Sequence, residues 1–308
     1  MNGIPLITSV APSMSRKDEH GAEIGAAYQE ACIRSWIAAG FRVISVNGPD
    51  DTVPFSELMD VMRTTRTAKE VHNKPVVFIA DLFQAAARVT PGPVCIANAD
   101  ILLRPSFDIA GSVAGLHADQ AIITRRRDVA TLSPAEPGTV YEGFDLFAAH
   151  ACVLAQIPDR AFAVGLHWWD SILPMELHAR GVAMNLLPEP LSYHLIHDKT
   201  WNQREWVDLG LVYAQRLQEL PPDPELAAHV AIARDVLRYR TRRDRLAPVV
   251  DLAKALHPDL GARAERAAQR HMLKSMRRLA RDSSALVDRL FLADQAALNR
   301  SSGATVSA

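Results

Sequence analysis

Four short apolar runs alternate with amphipathic stretches over the first hundred residues of this chain of 308. The runs, at residues 6–10, 41–46, 75–79 and 94–97, are rich in Val and Ile and too short for helices. Between them, Ile24, Tyr28, Ala31, Cys32 and Ala39 recur at helical spacing before a stop at Gly40. Leu58, Val61, Met62 and Ala68 predict a second helix over 54–72, and a third is expected over 81–89. Turn signals at Asn47-Gly48-Pro49 and Thr90-Pro91-Gly92-Pro93 punctuate the pattern. Strand–helix alternation of this kind requires right-handed crossovers between parallel strands, and therefore an α/β fold with a doubly wound sheet.

Such sheets gather their strand ends along one edge, where ligands bind. That edge would hold Ser9, Asn47, Asp81, Asn98 and Asp100. The run at 94–97 reads as a strand buried on both faces, leaving the core at Asn98-Ala99-Asp100. Alternation points Asn98 and Asp100 the same way, and two side-chain oxygens there suit a hard divalent cation that also holds phosphate. An Asx residue after a strand also serves simply as a turn former, and Asp81 could equally cap its helix. The turn Ala11-Pro12-Ser13 offers neither G-x-G-x-x-G nor a G-K-[ST] loop, so a dinucleotide or P-loop site is not supported.

Further along, residues 121–124 form a strand leading into Arg125-Arg126-Arg127, of which Arg126 is a candidate for a diphosphate. Gly143-Phe144-Asp145-Leu146-Phe147 is an alternating strand whose central carboxylate needs a partner. His167-Trp168-Trp169-Asp170 precedes a helix that ends at Arg180-Gly181. Asp is among the best helix caps, so Asp170 reads as the cap of that helix, and the tryptophans could pack it onto the sheet. A strand at 182–187 leads to Tyr193-His194-Leu195-Ile196-His197, with Asp198-Lys199 after it as an exposed strand end. From 206 to 300 the chain turns helical, with helices expected at 225–240 and over 263–299 and a basic face from Arg263 to Arg281. That face is a solvated surface or a peripheral contact, and 301–308 is expected to be disordered.

Charge and cysteines narrow the function classes. A net charge of −1 gives no field for nucleic acid. Three separated cysteines show neither zinc spacing nor a disulfide framework, which fits a reducing, cytoplasmic setting. No leader and no membrane-length apolar run is evident.

Taken together, these motifs resemble the nucleotide-diphospho-sugar transferases of the GT-A type, over approximately residues 4–205. The resemblance implies a GT-A-like doubly wound mixed sheet in a catalytic domain at 1–205, followed by a helical region at 206–300. Asn98-Ala99-Asp100 stands where that family places D-x-D, with Asn removing one charge. It implies a divalent metal, Mn²⁺ or Mg²⁺, held by Asp100, Asn98 and either His194 or His197. It further implies a nucleotide-sugar donor, with Ser9, Asn47 and Asp81 near the nucleotide. Asp170 resembles the catalytic base of inverting members, while Asp145, His167, Trp168 and Trp169 would line the sugar and acceptor pocket. The expected activity is glycosyl transfer to an acceptor hydroxyl. The alternatives are a nucleotidyltransferase, which would want a basic, glycine-rich first loop, and a degenerate domain that binds without turnover.

Overall fold

The structure is a computed structural model that describes residues 3–133, 136–187, 191–197 and 202–303. It has two compact units, Met1–Thr200 with Phe291–Ala308, and Trp201–Leu290. The first begins with β1 (Ile4–Thr8), α1 (Gly25–Ala38), β2 (Phe41–Asn47), β3 (Asp60–Arg63), α2 (Lys69–His72), α3 (Ile79–Val89) and β4 (Pro93–Ala97). It continues through β5 (Leu102–Leu103), α4 (Ile109–Ala114), β6 (Gln120–Val129), β7 (Thr139–His150), α5 (Ala151–Leu154), α6 (Trp169–His178), β8 (Ala183–Leu186) and β9 (Ser192–Leu195).

These strands form one mixed sheet in the order β3-β2-β1-β4-β7-β6-β9-β5, with β8 also on β6. The first four are parallel, whereas β7 runs antiparallel to both β4 and β6. Both faces are covered, which is why the central strands read as unbroken apolar runs. On one face Leu6, Val43, Cys95 and Ala148 pack with Tyr28, Cys32 and Trp36 of α1 and with Ile109 and Val113 of α4. The opposite parity of β1, β2 and β4, Ile7, Ile44 and Ile96, is fully buried on the other face. There Trp169 of α6 meets Phe147 of β7 edge to face at 5.5 Å. The α/β fold with a doubly wound mixed sheet is therefore present.

One helix fixes the loop after β4. Tyr28 of α1 donates its hydroxyl hydrogen to the Asp100 carbonyl (2.7 Å) and accepts from the Leu195 amide (2.9 Å), tying that loop to β9. Trp36 donates its indole N–H to the Ile101 carbonyl (2.7 Å), and Ser35 accepts from the Leu103 amide (2.9 Å).

Two predicted elements are different. Residues 54–72 are not one helix: Phe55 is left-handed (φ 57°), and β3 then pairs with β2 at the sheet edge. Thr64, Thr65 and Thr67 disfavour a helix there, and Thr64 Oγ1 bonds within its own turn to Arg66 instead. Across that edge, Arg42 pairs with Asp60 at 2.6 Å. Residues 75–79 are not a sheet strand either, because both sides of β1 are already taken by β2 and β4. Val76 and Val77 instead bond outside the sheet to Ala68 and Val164, and Ile79 already belongs to α3.

The second unit contains α7 (Gln203–Glu219), α8 (Ala227–Leu256) and the start of α9 (Pro258–Gly303). Asn202 caps α7 by accepting the Glu205 amide (2.7 Å). The helix expected at 225–240 runs on to Leu256 through Pro248. Arg263, Arg266, Arg270, Lys274, Arg277, Arg278 and Arg281 are all exposed on α9. Helix continues to Gly303 where disorder was expected from 301, and 304–308 lie outside the described residues. Among the described residues, no helix is long and apolar enough to cross a membrane.

Candidate functional site

A cavity of about 930 Å³ opens at the carboxyl ends of β1, β2 and β4. Ser9, Asn47, Asn98, Asp100 and His197 line it together with residues 11–17 of the loop after β1. Asn47 is committed within the fold: its oxygen accepts from Ser45 (2.6 Å) and its nitrogen donates to the Val10 carbonyl (2.8 Å). Asp81 does not line the cavity. It is the third residue of α3, whose first turn follows Phe78, and it pairs with Arg66 at 3.0 Å.

Asp100 is the centre of the polar wall. Its Oδ2 accepts from Arg16 at 2.7 Å and lies 3.3 Å from His194 Nε2. Its Oδ1 is buried and has no partner among the described residues, a costly arrangement for a carboxylate unless something binds there. Burial pushes the Asp100 carboxyl up, but the hydrogen bond and charge of His194, with Arg16 beside it, hold it well below the usual carboxylate range. For His194, burial works against the charged ring, yet hydrogen bonds to Asp100 and Asp128 raise it to about 9. His197 presents its ring to His194 edge on at 5.2 Å. One ligand atom each from Asp100, His194 and His197 falls within 4.8 Å of the others, so the three can share an ion. Asp198 and Lys199, the expected exposed strand end, lie outside the described residues.

Behind this wall lies a chain of charges. His194 Nδ1 faces Asp128 at 3.0 Å, and Arg126 bridges Asp128 (2.9 Å) to Asp145 (2.6 Å). Asp145 also accepts from the Asn98 amide nitrogen (3.0 Å), which supplies the partners an Asp inside a strand requires. The same bonds hold Arg126 back: it stacks on Tyr141 (4.1 Å to the ring centre) and does not line the cavity.

Asp170 sits at the second position of α6, not at its cap, which is Trp168 in a left-handed conformation (φ 75°). Burial, then the charge of Asp145, pushes its carboxyl up to about 7. A side chain at Gly143 would come within 2.8 Å of the Asp170 Oδ2 and 2.4 Å of the Tyr141 ring, so only glycine fits. Asp170 is half-buried and does not line the cavity, and the charge of Asp145 lies near it. Trp168 and Trp169 are 3% and 2% exposed. They pack α6 onto the sheet and offer no face to a sugar, and His167 does not line the cavity.

Sequence reasoning overlooked Arg16, Asp128 and Tyr28. Arg16 stands in a polar stretch with no pattern, and Asp128 directly follows three arginines. The cue for Asp128 was the unusual carboxylate within a strand that also carries Arg126.

No protein-family model matches the chain, and no curated protein matches it. Among solved structures, it is similar to a protein described as a glucose-1-phosphate thymidylyltransferase from Bacillus anthracis (7% identity, TM-score 0.38, 60% of this chain and 86% of that one). It is also similar to the inositol-1-phosphate CTP transferase from T. maritima (11%, TM-score 0.37, 65% and 91%). A nucleotidyl transferase from Methanothermobacter thermautotroptrophicus is a third (16%, TM-score 0.35, 62% and 89%).

Proposed function

We propose that the chain is a metal-dependent glycosyltransferase that uses a nucleotide-sugar donor. The observation that carries this reading is Asp100, with an unpartnered buried oxygen, beside His194 and His197 on a cavity large enough for a nucleotide. One carboxylate and two imidazoles fit Mn²⁺ better than Mg²⁺, which prefers all-oxygen ligands. Such an ion, when bound, neutralises charge developing on a departing diphosphate. Asp128 holds the His194 ring through Nδ1 and Nε2 faces Asp100 at 3.3 Å, so ligation through Nε2 would release the His194 proton. In this reading the nucleotide would lie at the β1 and β2 end of the cavity, which Ser9 and Asn47 line.

Asp170 is the proposed base. A carboxyl raised to about 7 accepts a proton at neutral pH while remaining charged part of the time. This role requires an acceptor hydroxyl seated within hydrogen-bond reach of Asp170, beyond the described cavity lining; its O–H proton would pass to an Asp170 oxygen as the acceptor oxygen bonds to the anomeric carbon. The anomeric carbon–phosphate oxygen bond breaks, and the diphosphate leaves with the electron pair.

A nucleotidyltransferase is the second reading, favoured by Arg16 and Lys17, which make the cavity-lining first loop more basic than Ala11-Pro12-Ser13 implies. Incubation with Mn²⁺ and a panel of nucleotide sugars, read by mass spectrometry, separates the readings. Donor cleavage lost in Asp100→Ala and Asp170→Asn supports glycosyl transfer. Pyrophosphate release from a nucleoside triphosphate and a sugar 1-phosphate, with no donor cleaved, supports the second. Nucleotide binding without turnover, unchanged by Asp170→Asn, would leave a binding domain.

A further inference from the structure

Four of the ten exposed large apolar side chains among the described residues lie on one helix of the second unit, and they are among the most exposed. Leu246, Val249, Leu252 and Leu256 of α8 are 57%, 62%, 60% and 66% exposed. Steps of three and four residues put them on a single stripe, which continues toward the helix N-terminus as Arg245, Arg242 and Arg238. Arg238 pairs with Asp235 (3.7 Å) on this side, whereas the two carboxylates between 238 and 256 lie on the opposite side. Both are already engaged there, Asp244 with Arg240 and Arg243 and Asp251 with Lys254. Arg242 and Arg245 are exposed and make no ion pair among the described residues. Residues 201–290 hold 17 Lys and Arg against 12 Asp and Glu, a net of +5 in a chain whose total is −1.

A second copy of this helix is a poor occupant for the stripe. Paired in parallel, Arg238, Arg242 and Arg245 would face their own counterparts. Paired antiparallel, the Arg242 and Arg245 guanidinium groups would be buried against apolar side chains with no counter-charge. A surface with hydrocarbon below and phosphate above satisfies both ends of the stripe, since guanidinium can meet phosphate while leucine enters the acyl boundary.

We propose that this face of α8 docks the protein on an anionic lipid surface. The stripe lies flat, with Val249 and Leu252 inserted and Arg242 and Arg245 on headgroup phosphates. The proposal is independent of the reaction assigned to the first unit.

The test is flotation of the full chain with vesicles of phosphatidylcholine alone or mixed with phosphatidylglycerol. Binding is expected to the mixed vesicles only, and to weaken as salt rises. Val249→Gln with Leu252→Gln should reduce it at least tenfold, and Arg242→Gln with Arg245→Gln similarly. Arg277→Gln with Arg278→Gln on α9 should retain most of it, separating a stripe from diffuse basicity. These positions are exposed, so circular dichroism should show every variant folded. Equal binding to neutral vesicles, or full retention by both α8 variants, overturns the proposal. So does a dimer in light scattering that Val249→Gln with Leu252→Gln dissolves.

Discussion

Each unit of this protein buries a histidine against a carboxylate, and the two arrangements behave in opposite ways. In the helical unit, His229 is fully buried, with Asp282 at 2.7 Å on Nδ1 and the Tyr213 hydroxyl at 2.7 Å on Nε2. Ser283 completes the group at 2.9 Å from the same hydroxyl. Burial outweighs the single carboxylate and holds the His229 ring below its ordinary value. His194 has two carboxylates, and they raise it to about 9. Its network also ends in an unsatisfied Asp100 oxygen and an unpartnered Arg16 Nε at the edge of a cavity. Similar ingredients thus make a closed structural cluster in one unit and an incomplete one in the other. The difference supports the first unit's cluster as the ligand site proposed above.

The largest effect should come from removing the incomplete network's central oxygen. Asp100→Ala is expected to weaken Mn²⁺ binding by on the order of 100-fold or more, since it deletes a proposed direct ligand and frees the His194 ring. Mn²⁺ titration followed by electron paramagnetic resonance checks this, and unchanged affinity would break the contrast. His229→Ala should instead cost ~3 kcal/mol of stability, because Asp282 and Tyr213 lose their buried partner. Denaturant unfolding measures that cost, and Mn²⁺ affinity should stay within about twofold if the closed cluster is only structural.

How much of this was legible before folding follows the same division. The order β1–α1–β2 and the run into β4 are local patterns, and Gly40 and Asn47-Gly48-Pro49 mark their ends. β3 was misread because a short edge strand with Asp60 and Arg63 turned to solvent has the spacing of a helical face. Asp100, His194 and His197 were readable as oxygen and nitrogen donors at strand ends. Their partners were not, because Arg16 and Asp128 reach them across gaps of 84 and 66 residues. Trp168 and Trp169 failed as a sugar platform for a related reason. Whether an aromatic pair faces a cavity or a sheet depends on how α6 lies on β7, which local sequence does not encode.

The pH response offers a finer contrast. Asp170 is raised from the ordinary carboxylate range to about 7, so the folded state keeps a proton that the unfolded chain has released. Its contribution is present in full below about 4 and is lost as pH rises to about 7. His229 is lowered, so its contribution is present above about 6.5 and lost as pH falls through its folded value. Unfolding of Asp170→Asn across pH 4–7 should lack the decline attributed to Asp170, whereas His229→Gln should lack the loss on acidification. A parallel change in both variants would show that neither group governs its own window.

The smallest effect concerns Arg16. Its guanidinium donates to Asp100 at 2.7 Å and is nine-tenths buried, so it already supplies the positive charge that a divalent ion would bring. An ion on Oδ1 and the guanidinium on Oδ2 would share one carboxylate, and the charge of Arg16 would oppose the ion. Arg16→Gln removes the positive charge and leaves a shorter, neutral donor, and Mn²⁺ affinity should rise roughly three- to tenfold, or about 1 kcal/mol. The opposite sign is also informative. Weaker Mn²⁺ binding in Arg16→Gln would mean that Arg16 orients Asp100 for the ion, and the site network would then resemble His229's closed one more than its orphaned atoms imply.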